Sequence, residues 1–362
     1  MLALALSVRG PRQGDKDSMK TIYSEDHRLH HARFELIDGT LKPAVEMPSR
    51  ADTVLARVKE VGLGPVGEPT RHPRSAIEKV HAPAYVAFLE QAWSLWTATG
   101  REHDALPLNW AIRGFRGREP EAIDGKLSYY SFDAGSPITA GTWQAAISAV
   151  DVALTGVDAL NARARGVFSL CRPPGHHAAA DYYGGYCFLN NAAVAAQALR
   201  DQGAERVAIL DVDYHHGNGT QSIFYERSDV YFLSIHGDPL QEFPYFLGYA
   251  DELGEAGGQG FNRNYPLRWG SGFDLWSAAL KDACKVISDY RADALVVSLG
   301  VDTFEKDPIS QFKLKSPDYL EIGRTIEALK LPTLFAMEGG YAVAEIGVNA
   351  VNVLSGFDEA AG

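Results

Sequence analysis

The chain has 362 residues, 46% apolar and 22% charged; that apolar share can offset chain entropy and excludes disorder as the main state. Its 34 Lys and Arg against 46 Asp and Glu leave a formal charge of −12, which argues against nucleic acid and suits a cationic partner. No apolar run reaches the ~18 residues that a membrane span needs. Residues 1–18 are expected to form a disordered extension. The opening MLALALSV has no positive residue before it and Arg9 and Arg12 after it, so it does not read as a secretory signal. Met19, opening MKTIYSEDH, is the alternative start. From there, short runs rich in Val, Ile and Leu predict strands over Thr21–Ser24, Val167–Cys171, Val207–Asp213, Val230–Ile235, Ala294–Leu299 and Thr333–Met337. Helical period predicts helices over Thr142–Ala162, Asn191–Gln202, Leu275–Asp289 and Pro317–Leu329. The alternation reads as βα units around a parallel sheet, within one α/β domain over about 19–358. Residues 104–141 and 237–272, rich in Gly, Pro and aromatics, read as long irregular insertions. The three cysteines, Cys171, Cys187 and Cys284, form no CxxC pair and no disulfide framework. They fit free thiols in a reducing cytoplasm.

Five of the strands run into polar turns. Val167–Cys171 leads to Arg172-Pro-Pro-Gly-His-His177, and Val207–Asp213 to Tyr214-His-His-Gly217. Val230–Ile235 leads to His236-Gly-Asp238, Ala294–Leu299 to Gly300-Val-Asp302, and Thr333–Met337 to Glu338-Gly-Gly-Tyr341. In open parallel sheets the site lies outside the carboxyl ends of the strands, so these turns can converge.

The chemistry of that cluster starts at Asp211-Val-Asp-Tyr-His215. Residues two apart on a strand share a face, so Asp211 and Asp213 point the same way and His215 can follow. Asp213 and His215 supply one oxygen and one nitrogen ligand, and Asp302 can supply a second carboxylate. Such a set leaves a tetrahedral metal an open position for water. Zn²⁺ is the first choice, with Fe²⁺ or Co²⁺ as alternatives. The paired His176 and His177 suit proton transfer near neutral pH. Tyr341, after two glycines, can donate its hydroxyl to a developing oxyanion.

These motifs, with Gly184-Gly-Tyr-Cys-Phe-Leu-Asn-Asn191 and Asn218-Gly-Thr-Gln221, resemble the arginase/deacetylase superfamily. More closely, they resemble histone deacetylases and their bacterial relatives, the acetylpolyamine amidohydrolases. Tyr225-Glu-Arg227 and the stretch from His236 through Phe243 to Gly248 are most similar to the acetylpolyamine branch. The resemblance covers roughly 19–358. It implies a single-domain fold with a central eight-stranded parallel sheet, and zinc-dependent hydrolysis of an acetyl amide. It implies that Asp213, His215 and Asp302 ligate zinc, that His177 is general base and then acid, and that His176, oriented by Asp211, is its electrostatic partner. Tyr341 stabilises the oxyanion. It also implies a structural K⁺ at Asp211 and Ser234. His216 is expected to be structural and His236 to brace the metal loop. Asn218 stands where class I histone deacetylases carry Asp, a departure shared with the amidohydrolase and class II branches.

By the same resemblance, Tyr186 and Phe243, with Gly185, wall the acyl channel. The 104–141 segment implies a homodimer and a narrowed channel entrance, which favours small cationic acetylated amines such as acetylputrescine, acetylcadaverine or acetylspermidine. Glu35 and Asp124 are the carboxylates expected to attract the remote ammonium. Closely similar enzymes carry Glu where this chain has Asp124. The alternative substrates are acetyllysine peptides or other small acylated amines. A non-catalytic acetyl binder or an arginase-like ureohydrolase would lack this residue set or need more ligands.

Overall fold

The computed structural model describes residues 19–37, 39–110 and 117–361; the expected extension over 1–18 lies outside them. Its strands, in chain order, are β1 (Lys20–Ile22), β2 (Phe34–Ile37), β3 (Thr40–Pro43), β4 (Val66–Gly67) and β5 (Gly166–Ser169). They continue with β6 (Val207–Asp211), β7 (Val230–Gly237), β8 (Asn262–Leu267), β9 (Ala294–Leu299) and β10 (Thr333–Met337). Eight of them form one sheet in the order β4-β1-β5-β10-β9-β6-β7-β8. Every pairing in it is parallel. The eight-stranded parallel α/β sheet expected from the resemblance is therefore present.

The two faces of the sheet follow the strand period of two. Val167, Ile209, Val296 and Leu334 enter one apolar core. Their neighbours Phe168, Leu210, Val297 and Phe335 enter the other. The first core is closed by α3 (Pro83–Thr97), α5 (Thr142–Asn161), α6 (Asn191–Asp201) and, through Phe224, the short α7 (Asn218–Phe224). The second is closed by α1 (Ser49–Val61), α8 (Phe273–Tyr290), α9 (Asp318–Glu327) and α10 (Ile346–Ala361). Strands buried on both faces are why the central runs read as continuous apolar stretches.

Strand order, not sequence order, places the site. β5 and β6 are separated in the sheet by β10 and β9, which the chain adds last. The carboxyl ends of β5, β10, β9 and β6 thus lie side by side, although their turns are spread from residue 170 to residue 341.

Three expectations need correction. β6 ends at Asp211, not Asp213, because the Asp213 N–H turns onto the Asp211 side chain, 3.1 Å from its Oδ1. The 237–272 segment is not wholly irregular, since β7 runs on to Gly237 and β8 forms the sheet edge. The 104–141 segment contains the short helix α4 (Ile123–Tyr129), preceded in the chain by α2 (Arg74–Glu78) near the start of α3. The β2–β3 hairpin was not anticipated; it lies outside the main sheet and exposes Phe34 and Leu41.

Candidate active site

Asp213 and His215 follow β6, and Asp302 follows β9. Each offers one donor atom, all within 4.8 Å of one another and all buried. His215 Nδ1 lies 3.0 Å from Asp302 Oδ2 and 3.4 Å from Asp213 Oδ1. The remaining carboxylate oxygens are fixed by backbone: Tyr214 N–H donates to Asp302 Oδ1 at 2.8 Å, and Gly339 N–H to Asp213 Oδ2 at 2.8 Å. Burial and the neighbouring Asp213 charge both push the Asp302 pKa up. Two dry carboxylates facing one imidazole nitrogen form a set that a divalent cation neutralises, so the residues fit a metal. A second group, His176, Cys187 and Glu338, also lies within that distance. There, however, Glu338 Oε2 already accepts the N–H groups of Gly175 (2.6 Å) and His176 (3.1 Å).

The histidine pair after β5 is held in two different states. His176 Nδ1 donates to Asp211 Oδ2 at 2.9 Å, and its Nε2 is 3.8 Å from Asp213. Burial disfavours its charge, but Asp211 and Asp213 outweigh burial and push its pKa up to about 10. His177 Nδ1 meets Asn218 Oδ1 at 2.6 Å. An amide oxygen only accepts, so Nδ1 carries the proton and Nε2 is left with a free lone pair. Burial, then the His176 and His215 charges, hold the His177 pKa well below the usual imidazole value. His177 is thus set up as a neutral base beside a cationic neighbour.

Tyr341 follows β10 and is fixed from two sides. Its N–H donates to Asp307 Oδ2 at 2.7 Å. Its ring lies under the Arg50 guanidinium, 4.6 Å to the centroid. Arg50 also donates to the carbonyls of Glu338 and Gly340, each at 2.6 Å. Gly340 has a φ of +128, a conformation that glycine adopts without strain. Aromatic rings surround the histidines. Phe243 lies 5.2 Å from His177 and 6.1 Å from His215, and it stacks on Phe132 at 5.6 Å. Tyr186 meets Tyr341 at 5.6 Å. Gly185, at φ +54, lies against the His177 ring; a Cβ there would come 2.1 Å from His177 Cδ2.

Residues 44–357 match the histone deacetylase domain family. The chain belongs to the histone deacetylase family. It is 65% identical over 340 residues to acetylpolyamine amidohydrolase 2 of Pseudomonas aeruginosa, covering 94% of this chain and 99% of that protein. It is 53% identical over 338 residues to the acetylpolyamine amidohydrolase of Mycoplana ramosa, covering 93% and 99%. The crystal structure of acetylpolyamine aminohydrolase from Burkholderia pseudomallei superposes with a TM-score of 0.90 at 37% identity, covering 95% and 99%. The HDA15 HD domain superposes at 0.77 with 26% identity, covering 95% and 89%. The protein is accordingly a hydrolytic deacetylase with the arginase/deacetylase fold.

In this deacetylase the remaining sequence candidates are placed unequally. Asp211, Asp213, His215, Asp302, His176, His177, Tyr341, Gly185, Tyr186 and Phe243 converge. Glu35 does not lie in open solvent. It is 1% exposed, accepts the Val45 N–H at 2.8 Å and sits behind Tyr186, with which it lines a small cavity. Burial raises the Glu35 pKa, and burial together with the Glu35 charge raises that of Tyr186. Asp124, on α4, is gripped by Arg101 at 2.5 and 2.7 Å, so its charge is already compensated. Ser234 pairs in register with Asp211 and bonds His236 at 2.7 Å. His236 reaches the Gly248 carbonyl at 2.9 Å, and so ties down the loop after β7. His216 bonds Gln221 at 3.0 Å, away from the metal set. The sequence reading missed Arg50, Asp307, Phe132 and Asp133, whose carboxylate takes the Gly185 N–H at 2.5 Å.

Among the described residues no helix is long and apolar enough to cross a membrane.

Proposed function

We propose that this deacetylase hydrolyses acetylated polyamines, such as acetylputrescine, acetylcadaverine and acetylspermidine, to acetate and free amine, with one Zn²⁺ held by Asp213, His215 and Asp302. The observation that carries the reading is end-to-end identity of 65%, 61% and 53% to proteins named acetylpolyamine amidohydrolases. The donor set also suits Fe²⁺ or Co²⁺. A divalent ion there supplies Lewis acidity toward the amide carbonyl and acidifies water.

The chain's own residues divide the remaining work. His177 Nε2 takes the proton of the attacking water and returns it to the departing amine nitrogen. The cationic His176, held by Asp211, stabilises negative charge gathering nearby. The Tyr341 hydroxyl, whose pKa burial raises well above the usual phenol value, stays protonated and donates to the oxyanion. Tyr186, Gly185 and Phe243 line a slot that suits an acetamide on an alkyl chain and sheds water from it.

Glu35 and Asp124 are the carboxylates proposed to recognise the remote ammonium, Glu35 through Tyr186 and Asp124 when Arg101 yields it. A K⁺ at Asp211 and Ser234 is proposed as structural. Exposed Leu108 and Trp110 on the 104–141 segment, and exposed Phe34 and Leu41 of the hairpin, support a homodimer. The net charge of −12 and three free buried thiols suit a cytoplasmic enzyme that takes cationic substrates. Residues 19–358 are proposed as its catalytic domain. Deacetylation of acetylputrescine by the metal-reconstituted protein, lost on chelation and restored by Zn²⁺, tests this reading. Turnover that survives complete chelation would refute it.

A further inference from the structure

The loop after β7 carries the Phe243 wall, and one carboxylate joins that wall to the metal-ligand segment. Tyr214 stands between Asp213 and His215, fully buried, with its ring 4.9 Å from that of His215. Its backbone N–H holds Asp302. Its hydroxyl points away from the cluster and donates to Glu242 Oε2 at 2.5 Å. The same oxygen accepts the Trp269 indole N–H at 3.1 Å. The other oxygen, Oε1, accepts the N–H of Phe243 at 3.0 Å. Gly237 closes the junction: a Cβ there would press within 3.1 Å of both Glu242 and the Tyr214 ring. Around the junction Leu240, Tyr245 and Phe246 are exposed, and further along the loop Gly248 is held by His236 and Glu252.

We propose that Glu242 is a positioning residue that fixes Phe243 relative to the metal-ligand segment and so limits the size of acyl group the site accepts. Phe243 is the ring that touches both His177 and His215, and its backbone N–H is held by a side chain anchored on Tyr214. Without Glu242, the ring loses its fixed distance from the reacting centre. A displacement of about 1 Å in such a wall costs rate for the acyl group that fits and admits one that did not. The inference rests on the proposed acyl-amide hydrolysis at this site.

The test uses the metal-loaded full chain and compares kcat/KM for N-acetylputrescine and N-butyrylputrescine in wild type, Glu242→Ala, Glu242→Gln and Tyr214→Phe. Glu242→Ala is expected to lower the acetyl-to-butyryl ratio about tenfold, and Tyr214→Phe to lower it in the same direction. Glu242→Gln, whose one carbonyl oxygen can replace the acceptor for Tyr214 or for the Phe243 N–H but not both, should lower the ratio in the same direction by less than Glu242→Ala. In a Phe243→Ala background, Glu242→Ala should change the ratio no further, because the wall it positions is gone. An unchanged ratio in Glu242→Ala, or additive effects with Phe243→Ala, overturns the proposal. Loss of bound metal in Glu242→Ala also overturns it, by assigning Glu242 to metal binding instead. If wild type hydrolyses neither amide, the proposed function has failed, and the clamp is read from the crystal structure of Glu242→Ala alone. Phe243 shifted off His177 supports positioning, and Phe243 in place refutes it.

Discussion

The Arg50 guanidinium lies 4.6 Å over the ring of Tyr341 while donating to the carbonyls of Glu338 and Gly340 in the turn that precedes it. A helix-borne cation therefore shapes the turn that presents the oxyanion donor. Arg50 touches no reacting atom, so it is a positioning residue. Arg50→Ala should lower kcat by about tenfold to a hundredfold with KM little changed. Steady-state kinetics check this, and a change confined to KM would contradict it.

Tyr341 itself carries the larger effect. Removing one oxyanion donor costs about 10²–10³ in kcat. Tyr341→Phe should show that loss with the metal content unchanged. Elemental analysis beside kinetics separates this from loss of the ion.

Glu46 is buried between Arg50 and Arg172, with Arg172 donating to both of its oxygens at 2.8 and 2.9 Å. Burial alone would raise its pKa, but the two guanidinium groups lower it from 4.5 to about 2. A folded-state pKa below the unfolded one stabilises the fold above pH ~4.5, and this stabilisation is lost as pH falls toward 2. The contribution at neutral pH is on the order of 3 kcal/mol. Urea unfolding from pH 7 to pH 3 should show a decline that Glu46→Gln flattens. Glu46→Gln should also lower stability at pH 7 by about 3–5 kcal/mol, because it leaves buried cations undercompensated.

Much of this site was legible in the sequence, for a physical reason. Central parallel strands are apolar on both faces, so the first Asp, His or Tyr after each run marks a strand end, and parallel pairing brings those ends together. Asp213, His215, Asp302, His177 and Tyr341 were found that way. Arg50 was not, since its partners at Glu338 and Gly340 lie almost the whole chain away and nothing local distinguishes it from a surface arginine at the start of a helix. Phe132 and Asp133 sit in an irregular segment with no period to read. β8 hid because Asn262 and Asn264 interrupt its apolar pattern. Their amides bond Gln221 at 3.0 and 2.8 Å, a tertiary reason for polar residues in an edge strand. Glu35 came from the resemblance alone, as a carboxylate expected to attract the remote ammonium, and no local pattern showed that its side chain turns inward behind Tyr186.

Gly185 gives a steric test of the acyl slot. Its positive φ and its contact with His177 leave no room for a side chain. Gly185→Ala should displace the His177 ring and cost about a hundredfold in kcat/KM. Thermal unfolding should change far less than turnover. A fully active Gly185→Ala would remove Gly185 from the site.

The metal set makes its own demand. Asp302→Asn removes one of two carboxylates from a buried three-donor group and should reduce bound zinc to about a tenth of wild type after dialysis. Circular dichroism should remain that of the wild type.

The most direct test is kcat/KM of the zinc-reconstituted protein for N-acetylputrescine and for an acetyllysine peptide, side by side, with Tyr341→Phe as control. Polyamine deacetylation at the Asp213–His215–Asp302 centre requires that the small amine exceed the peptide by at least about tenfold, and that the control lose nearly all turnover. A peptide preferred over acetylputrescine, or a Tyr341→Phe protein as active as wild type, would contradict it.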